Sequence, residues 1–348
     1  MHRVMIYGAN GYTGELIAEE AVRRGFKPIL GGRNRDALEA LAQRFKLTRR
    51  VFELGDAAEI ARNLDGVDLL LNCAGPFKYT AEPLLDACLE RKIHYLDITG
   101  EIDVFALCHH AHNRARHQGV VVAPGVGFDV VPTDCVAALL KRQLPDAIEL
   151  VLAFEAGGGP SPGTARTSVE GLAKGGRVRR NGELIDVPLA WKTREFERDG
   201  ERRSAMTIPW GDVYTAYVST GIANIETYMA VSPKTIARMR WMRYVQPLLR
   251  FEPAKRFLEA QTVARAKGPD AERRRATGCH IWGEVRNAAG REAKLMMTTP
   301  NGYTLTVSAS LGIVQRVLDA APAGGYYTPS LLMGADYVLS LPGVKLVA

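Results

Sequence analysis

Three glycines spaced three apart, Gly8, Gly11 and Gly14, break an apolar run near the start of the chain, in the stretch Gly8-Ala9-Asn10-Gly11-Tyr12-Thr13-Gly14. Arg3 to Tyr7 before them has the composition of a buried strand, and Glu15 to Arg24 after them reads as an amphipathic helix with Leu16, Ile17, Ala18 and Ala21 available for one face. At such a junction each glycine has its own task. Gly8 permits the sharp exit from the strand, Gly11 lets a pyrophosphate approach the backbone, and Gly14 lets the helix lie close to the sheet. Ala9, Asn10, Tyr12 and Thr13 complete the turn, whose amides face the anion together with the positive end of the helix dipole. Glycine triplets also serve plain tight turns. The strand before this one, the helix after it and a second apolar strand at Pro28 to Gly32 make it a dinucleotide turn.

Arg33 and Asn34 follow that second strand, where NAD-binding folds commonly carry an Asp or Glu for the ribose hydroxyls. A carboxylate there would repel a 2′-phosphate, whereas a guanidinium pairs with it through two hydrogen bonds and stacks on the adenine. The expected cofactor is therefore NADP(H). Cys73-Ala74-Gly75-Pro76-Phe77 follows an apolar strand at Val67 to Asn72 and cannot continue it, so it forms a loop against the cofactor.

Hydride transfer belongs to such a cofactor, and the chain must orient the substrate, polarise the acceptor and supply a proton. Lys78 and Tyr79 in this loop, with Asp97 and Glu101 after a fifth strand, are the candidate catalytic residues. The alternation of Asp97, Thr99 and Glu101 puts them on one side of an extended chain. Carboxylates so placed also serve to hold neighbouring loops through backbone amides. Thr99, Phe128 and Asp129 are candidate substrate contacts, as are Thr164 and Ser168, which open a glycine-rich helix in the second half. Asp134 reads as a helix cap. Cys108 and His112 share a helix face, but no second ligand cluster completes a tetrahedral set, and no metal is expected.

The elements that must position these residues alternate as strand and helix from residue 1 to about 145, which predicts a parallel sheet with helices on both faces. In such sheets ligands bind outside the carboxyl ends of the strands, so the loops after Asn72, Ile98 and Ala123 should converge with the glycine turn on one crevice. Beyond about residue 147 the pattern changes to hairpins, signalled by Asn181-Gly182 and Asp199-Gly200, with strands expected at Ala190 to Arg198, Arg202 to Pro209 and Tyr214 to Val218. Helices are expected at Thr304 to Ala321 and Pro329 to Leu341. The fold class is thus α/β, a doubly wound Rossmann sheet plus a second α+β domain with a mixed or antiparallel sheet. The expected division is 1–145, 146–322 and a C-terminal helix in 323–348 that packs back on the first domain.

The formal net charge is +7 over 348 residues, with arginine concentrated after residue 175. No nucleic-acid motif accompanies it, so no nucleic-acid partner is expected. The five cysteines are odd in number and never form a CxxC pair, which suits a reducing cytoplasm. No apolar run reaches the roughly 18 residues that span a bilayer. The basic stretch from Met239 to Phe251, with Trp241, Tyr244, Leu248 and Leu249, reads as an interface helix or as a surface for peripheral contact with lipid.

GANGYTG, LGGRN, LLNCAGPFKYTAEPLLDAC, HYLDITGE and APGVGFDVVPTD, in this order, resemble the saccharopine dehydrogenase-like family with its NADP-binding domain. The similarity continues in GGGPSPGTARTSVEG, GPDAERRRATGCHIWGEV, PNGYTLTVSASLGI and GGYYTPSLLMGADYVL, and is greatest to the trans-acting enoyl reductase and saccharopine dehydrogenase-like oxidoreductase branch. The resemblance implies a Rossmann domain, a substrate and oligomerisation domain, a returning C-terminal helix and a homodimer. The expected function is an NADPH-dependent oxidoreductase that reduces a C=C or C=O bond of a hydrophobic, acyl-linked small molecule. An opine-type amino-acid dehydrogenase and a non-catalytic NADPH-binding scaffold are the alternatives. A pocket lined with cations would favour the first of these, and a pocket closed to the nicotinamide face the second.

Overall fold

The computed structural model describes residues 2–198, 200–247 and 251–347. Asp199 of the second turn signal, with Leu248 and Leu249 of the aromatic stretch, lies outside the described residues. The chain forms two units, one of residues 1–129 and 303–333, the other of residues 130–302 and 334–348.

The first unit opens with β1 (Val4–Tyr7), α1 (Tyr12–Arg23), β2 (Ile29–Gly32), α2 (Arg35–Phe45), β3 (Arg49–Val51), α3 (Ala57–Asn63) and β4 (Leu69–Asn72). It continues through a 3-10 turn at Phe77–Tyr79, α4 (Ala81–Arg91), β5 (His94–Asp97), α5 (Ile102–His110), α6 (His112–Gln118) and β6 (Val121–Ala123). β1, β2 and β4 are buried at every position, as strands covered on both faces must be. The buried face of α1 is Gly14, Ile17, Ala18 and Ala21, a strict helical spacing that leaves Leu16 off it.

The second unit begins with α7 (Val131–Gln143), β7 (Ala147–Ala156), α8 (Pro162–Lys174), β8 (Gly176–Arg180), β9 (Glu183–Val187), β10 (Thr193–Arg198) and β11 (Glu201–Thr207). α9 (Asp212–Thr220), β12 (Asn224–Ala230), α10 (Pro233–Val245), α11 (Glu252–Arg265), α12 (Ala271–Ala276), β13 (Gly278–Asn287) and β14 (Glu292–Pro300) follow. The chain then supplies α13 (Gly302–Ala320), β15 (Gly325–Tyr326) and α14 (Pro329–Met333) to the first unit, and β16 (Lys345–Val347) to the second.

The first sheet has the order β15-β6-β5-β4-β1-β2-β3 and every pairing in it is parallel. The chain winds outward from β1 through β2 and β3, then resumes on the other side at β4, so the order reverses between β1 and β4. That reversal is where an open α/β sheet offers a crevice. The second sheet is mixed, with order β10-β11-β12-β7-β13-β14-β16, with β8 attached to β12 and β9 attached to β8. Its β7–β12 pairing is parallel and its other pairings are antiparallel. Asn181 (φ 50°) and Gly182 (φ 85°) make the turn between β8 and β9 with the double positive φ that such a two-residue hairpin demands.

Several elements differ from the sequence reading. Tyr214 to Val218 lies in helix α9, because Val213 and Ala216 bury at helical spacing while Tyr217 stays 37% exposed. α7 belongs with the second unit: Gly283 of β13 carries no side chain, and an added Cβ would stand 2.3 Å from Val136 Cγ1, so the helix lies directly on the second sheet. Val130 occupies the N-cap of α7; Asp134 is instead fully buried and accepts a 2.7 Å bond from Ser219 of α9.

The expected C-terminal helix divides. Thr328 Oγ1 accepts the amide of Leu331 at the start of α14, but the helix stops at Met333 before Gly334 (φ 89°), where the chain crosses to the other unit. Only 323–333 therefore stays with the nucleotide-type sheet, as β15 and α14, and it is joined there by α13.

Candidate functional site

At the end of β1 the backbone turns sharply, with Gly8 at φ 81°. A Cβ on Gly8 would stand 2.8 Å from the Ala74 nitrogen, and one on Gly14 would stand 2.3 Å from the Gly8 carbonyl oxygen. These two positions are closed to any side chain by backbone. Gly11 differs, since its Cβ would meet only the Gly8 carbonyl, at 3.2 Å, and is otherwise open. Gly11 is also the N-cap of α1 and supplies no side-chain cap to the helix. A bare helix start beside an open glycine is a cradle for a pyrophosphate; the Ala9 amide is given to the Gly31 carbonyl at 3.2 Å, and the donor set that fits a dinucleotide there comes from Asn10, Tyr12 and Thr13. The Asn10 amide oxygen lies against Gly32, 3.0 Å from where its Cβ would be, which joins the turn to the end of β2.

Arg33 is exposed just beyond β2 and forms no salt bridge among the described residues. Its positive charge reaches the Tyr7 hydroxyl, which burial nonetheless pushes up to about 12. Asn34 spends its side chain on capping α2, accepting the Ala37 amide at 3.0 Å. The Asn34 side chain is therefore occupied locally, whereas Arg33 is exposed beside the nucleotide turn.

The loop after β4 is tied to the turn and to β5. The Cys73 amide donates to the Tyr7 carbonyl at 2.7 Å, and burial, with the Asp97 charge, pushes the Cys73 thiol up. Ala74 donates its amide to Asn72 Oδ1 at 3.0 Å and accepts from Thr80 Oγ1 at 2.7 Å. The Gly75–Pro76 peptide is cis. Phe77 and Lys78 donate their amides to the two oxygens of Glu101, at 2.7 and 3.0 Å. Glu101 is thus a clamp on this loop. Lys78 Nζ sits 4.5 Å from the Tyr79 ring centre, and Tyr79 is 60% exposed.

Asp97, at the end of β5, is fully buried. Oδ1 accepts the amides of Thr99 and Gly125 at 3.0 Å each, and Oδ2 accepts the Tyr95 hydroxyl at 2.9 Å. Burial is the largest influence and pushes the carboxyl up to about 6, although the three hydrogen bonds favour the ionised form. Tyr95 in turn receives a 3.3 Å bond from Asn72 Nδ2, which also donates to Thr80. Asp97 therefore braces the loops after β4, β5 and β6 as one polar network. Thr99 is buried, and its hydroxyl accepts the Glu101 amide at 3.0 Å.

Asp129 ends the loop after β6, and its Oδ2 lies 2.9 Å from where a Cβ on Gly100 would be. Burial pushes this carboxyl up to about 7. Phe128 donates its amide to Thr306 Oγ1 of α13 at 2.9 Å. The expected convergence of four loops at the carboxyl edge of the first sheet is thus formed by contacts within one unit. Thr164 and Ser168 belong to the other unit, where Thr164 donates its amide to the cap residue Ser161 at 3.3 Å and Ser168 bonds back to the Thr164 carbonyl at 2.8 Å. A separate cavity of about 440 Å³, lined in part by Asp68, His94 and Val317, opens at the amino ends of β4 and β5, the sheet edge opposite the glycine turn.

Asn72, Tyr95, Tyr303 and Thr306 were not legible as site residues. Asn72 and Tyr95 read as ordinary strand positions, and α13 comes from the far end of the chain. The ring of Tyr303, in the first turn of α13, meets Tyr12 edge-on at 4.8 Å.

Residues 4–121 match the model of the saccharopine dehydrogenase NADP binding domain. The chain is 25% identical over 204 residues to a saccharopine dehydrogenase-like oxidoreductase of Rattus norvegicus, which covers 51% of this chain and 48% of the rat protein. It is 27% identical over 157 residues to a trans-acting enoyl reductase of Mycobacterium ulcerans, covering 41% of this chain and 36% of that one. The chain thus spans about half, or less, of the length of these relatives. Among solved structures, the fold is similar to that of a saccharopine dehydrogenase (L-Glu forming) from Saccharomyces cerevisiae, with a TM-score of 0.64, 10% identity and all of both chains covered. That likeness is one of fold alone. Residues 4–121 thus match a saccharopine dehydrogenase NADP binding domain, and it is through this segment that the chain resembles that family.

Proposed function

We propose that the protein is an NADPH-dependent oxidoreductase that reduces a C=C or C=O bond of a hydrophobic, acyl-linked small molecule. The observation that carries this reading is Asp129, a carboxyl held at about 7 by burial on the same sheet edge as the nucleotide turn. NADPH, when bound, supplies the hydride. Reduction also needs a proton, and an acid that titrates at about 7 carries one in about half of the molecules at neutral pH. Gly8 to Gly14 would hold the diphosphate, Arg33 the 2′-phosphate, and the backbone of Cys73 to Phe77 the nicotinamide end. Glu101 and Asp97 then act by keeping the loops in register, and Asp129 donates the proton. Lys78 and Tyr79 stand at the outer side of the loop, where they would meet the arriving substrate.

The chemistry of these loops favours an apolar acceptor. Residues 73–80, 97–101 and 124–129 contain one cation, Lys78, whereas an opine-type enzyme must bind at least two carboxylates. The name of the mycobacterial relative points the same way. The deciding experiment follows NADPH oxidation against enoyl thioesters, ketones, and α-keto acids paired with amino acids. Turnover of enoyl thioesters or ketones is expected. Turnover of the keto acid and amine pair alone would establish the opine reading, and failure with all acceptors despite tight NADPH binding would leave a scaffold.

Three further attributes complete the proposal. The five free cysteines support a reducing, cytoplasmic setting. The family resemblance supports a homodimer, which sedimentation would register at twice 38.1 kDa. Trp241 and Tyr244 of α10, 60% and 83% exposed beside Arg238 and Arg240, support peripheral contact with anionic lipid, and co-sedimentation with phosphatidylserine vesicles tests it. None of the described helices is long and apolar enough to cross a membrane.

A further inference from the structure

Tyr303 lies far from the glycine turn in sequence, yet its ring stands 4.8 Å from that of Tyr12, the first helical residue after Gly11. Gly11 is the open glycine of the turn, so Tyr12 borders the place where an anion meets the backbone. α13 is held there from the other side of the crevice. Its Thr306 hydroxyl accepts the Phe128 amide at 2.9 Å, and the Thr306 methyl would stand 2.9 Å from a Cβ on Gly127. The inward side of α13 is buried through Leu305, Ala309 and Ile313, whereas Tyr303 and Tyr12 are only half-buried. The ring pair is therefore a rim and not part of the core. Its edge-on geometry is the favourable one for two aromatic rings, and it restrains both.

We propose that Tyr303 is a cofactor-retaining residue, its ring forming with Tyr12 the side wall of the diphosphate site and connecting α13 to the occupancy of that site. The proposal rests on the NADP assignment and not on the identity of the substrate. The local sequence around Gly8 to Gly14 supplies only the Tyr12 half of this wall; the chain provides the other half by returning α13 to the first unit.

The test is equilibrium binding followed by fluorescence. The probes are NADPH and, by displacement of it, adenosine 2′-monophosphate, which keeps the adenosine and 2′-phosphate and lacks both phosphates of the diphosphate and the nicotinamide. For Tyr303→Ala we expect NADPH to bind about tenfold more weakly, with adenosine 2′-monophosphate within about twofold of wild type. Tyr303→Phe, which keeps the ring, should bind NADPH nearly as wild type does, and thermal melts of both variants report their folding. An unchanged NADPH affinity in Tyr303→Ala overturns the proposal. Equal weakening of both probes also overturns it, because Tyr303 would then only support the fold, and so does a loss in Tyr303→Phe as large as in Tyr303→Ala. Failure of the wild type to bind NADPH would instead overturn the cofactor assignment on which the proposal rests.

Discussion

Arg33, Asp97 and Asp129 are three ionisable side chains within one unit whose surroundings give them different work. Arg33 is exposed beside the nucleotide turn, so it can meet a phosphate without giving up another partner. Its replacement in Arg33→Asp removes a two-pronged charged contact of about 1.5–3 kcal/mol and adds a repelling charge. NADPH should then bind at least about tenfold more weakly while NADH does not, by fluorescence titration. Asp129 must be protonated to act as an acid, so kcat/KM should fall as pH rises through about 7. Asp129→Asn should lose on the order of 10²–10⁴ in kcat with NADPH affinity retained. A variant that keeps full turnover would remove Asp129 from the mechanism.

Asp97 is a matter of stability. Its folded carboxyl titrates at about 6, above the ordinary 3.8, so the fold favours the protonated form. That contribution is fully present below about pH 4 and is lost as pH rises through about 6. Relative to Asp97→Asn, the wild type should therefore lose on the order of 2–3 kcal/mol of unfolding free energy between about pH 4 and 7. Urea melts across that range check it, and a difference that stays flat with pH would show that Asp97 titrates normally.

Between elements, the decisive contacts are backbone to backbone. α1 can approach β1 because Gly14 has no Cβ to strike the Gly8 carbonyl, 2.3 Å away. In Gly14→Ala the helix must retreat, at a cost of about 1–3 kcal/mol, and the amides at its start move from the anion. Weakened NADPH binding together with a lowered melting temperature is expected. Glu101→Ala releases the other side of the crevice, because the amides of Phe77 and Lys78 lose both acceptors. Here cofactor affinity should fall with little change in global stability, since the freed amides can turn to water. Calorimetry beside the binding titration separates the two cases.

Across the whole molecule, the chain crosses between units after Asp129, before Tyr303 and after Met333. The first unit consequently lacks α13, β15 and α14 until nearly all of the chain has been made. A protein ending at residue 302 would leave β6 unpaired along its outer edge and lose the buried Leu305, Ala309, Ile313, Val314 and Val317. It should be insoluble or lack a cooperative thermal transition, despite retaining all of residues 4–121. A soluble, NADPH-binding truncation would show that the nucleotide unit is complete without the returning segment.

The glycine turn and the strands and helix around it were legible because their signals are local. A glycine with positive φ at a strand exit, an apolar strand buried on both faces and a helix with residues three and four apart are all constraints among near neighbours, and Gly8 to Gly14, β1, β4 and α1 follow from them. Arg33 was legible for the same reason, as a charge at a known distance from the turn. Partnership and burial are different in kind. Whether Glu101 is an acid or a clamp depends on amides brought from residues 77 and 78, and whether Asp129 titrates at about 7 depends on what covers it. The sequence by itself determined a dinucleotide turn at the start of a doubly wound sheet, with NADP(H) as its ligand. Only the tertiary structure decided that Asp97 and Glu101 brace the loops, that α13 completes the crevice and that the C-terminal segment is shared between units, because those outcomes depend on contacts between residues that the chain holds far apart.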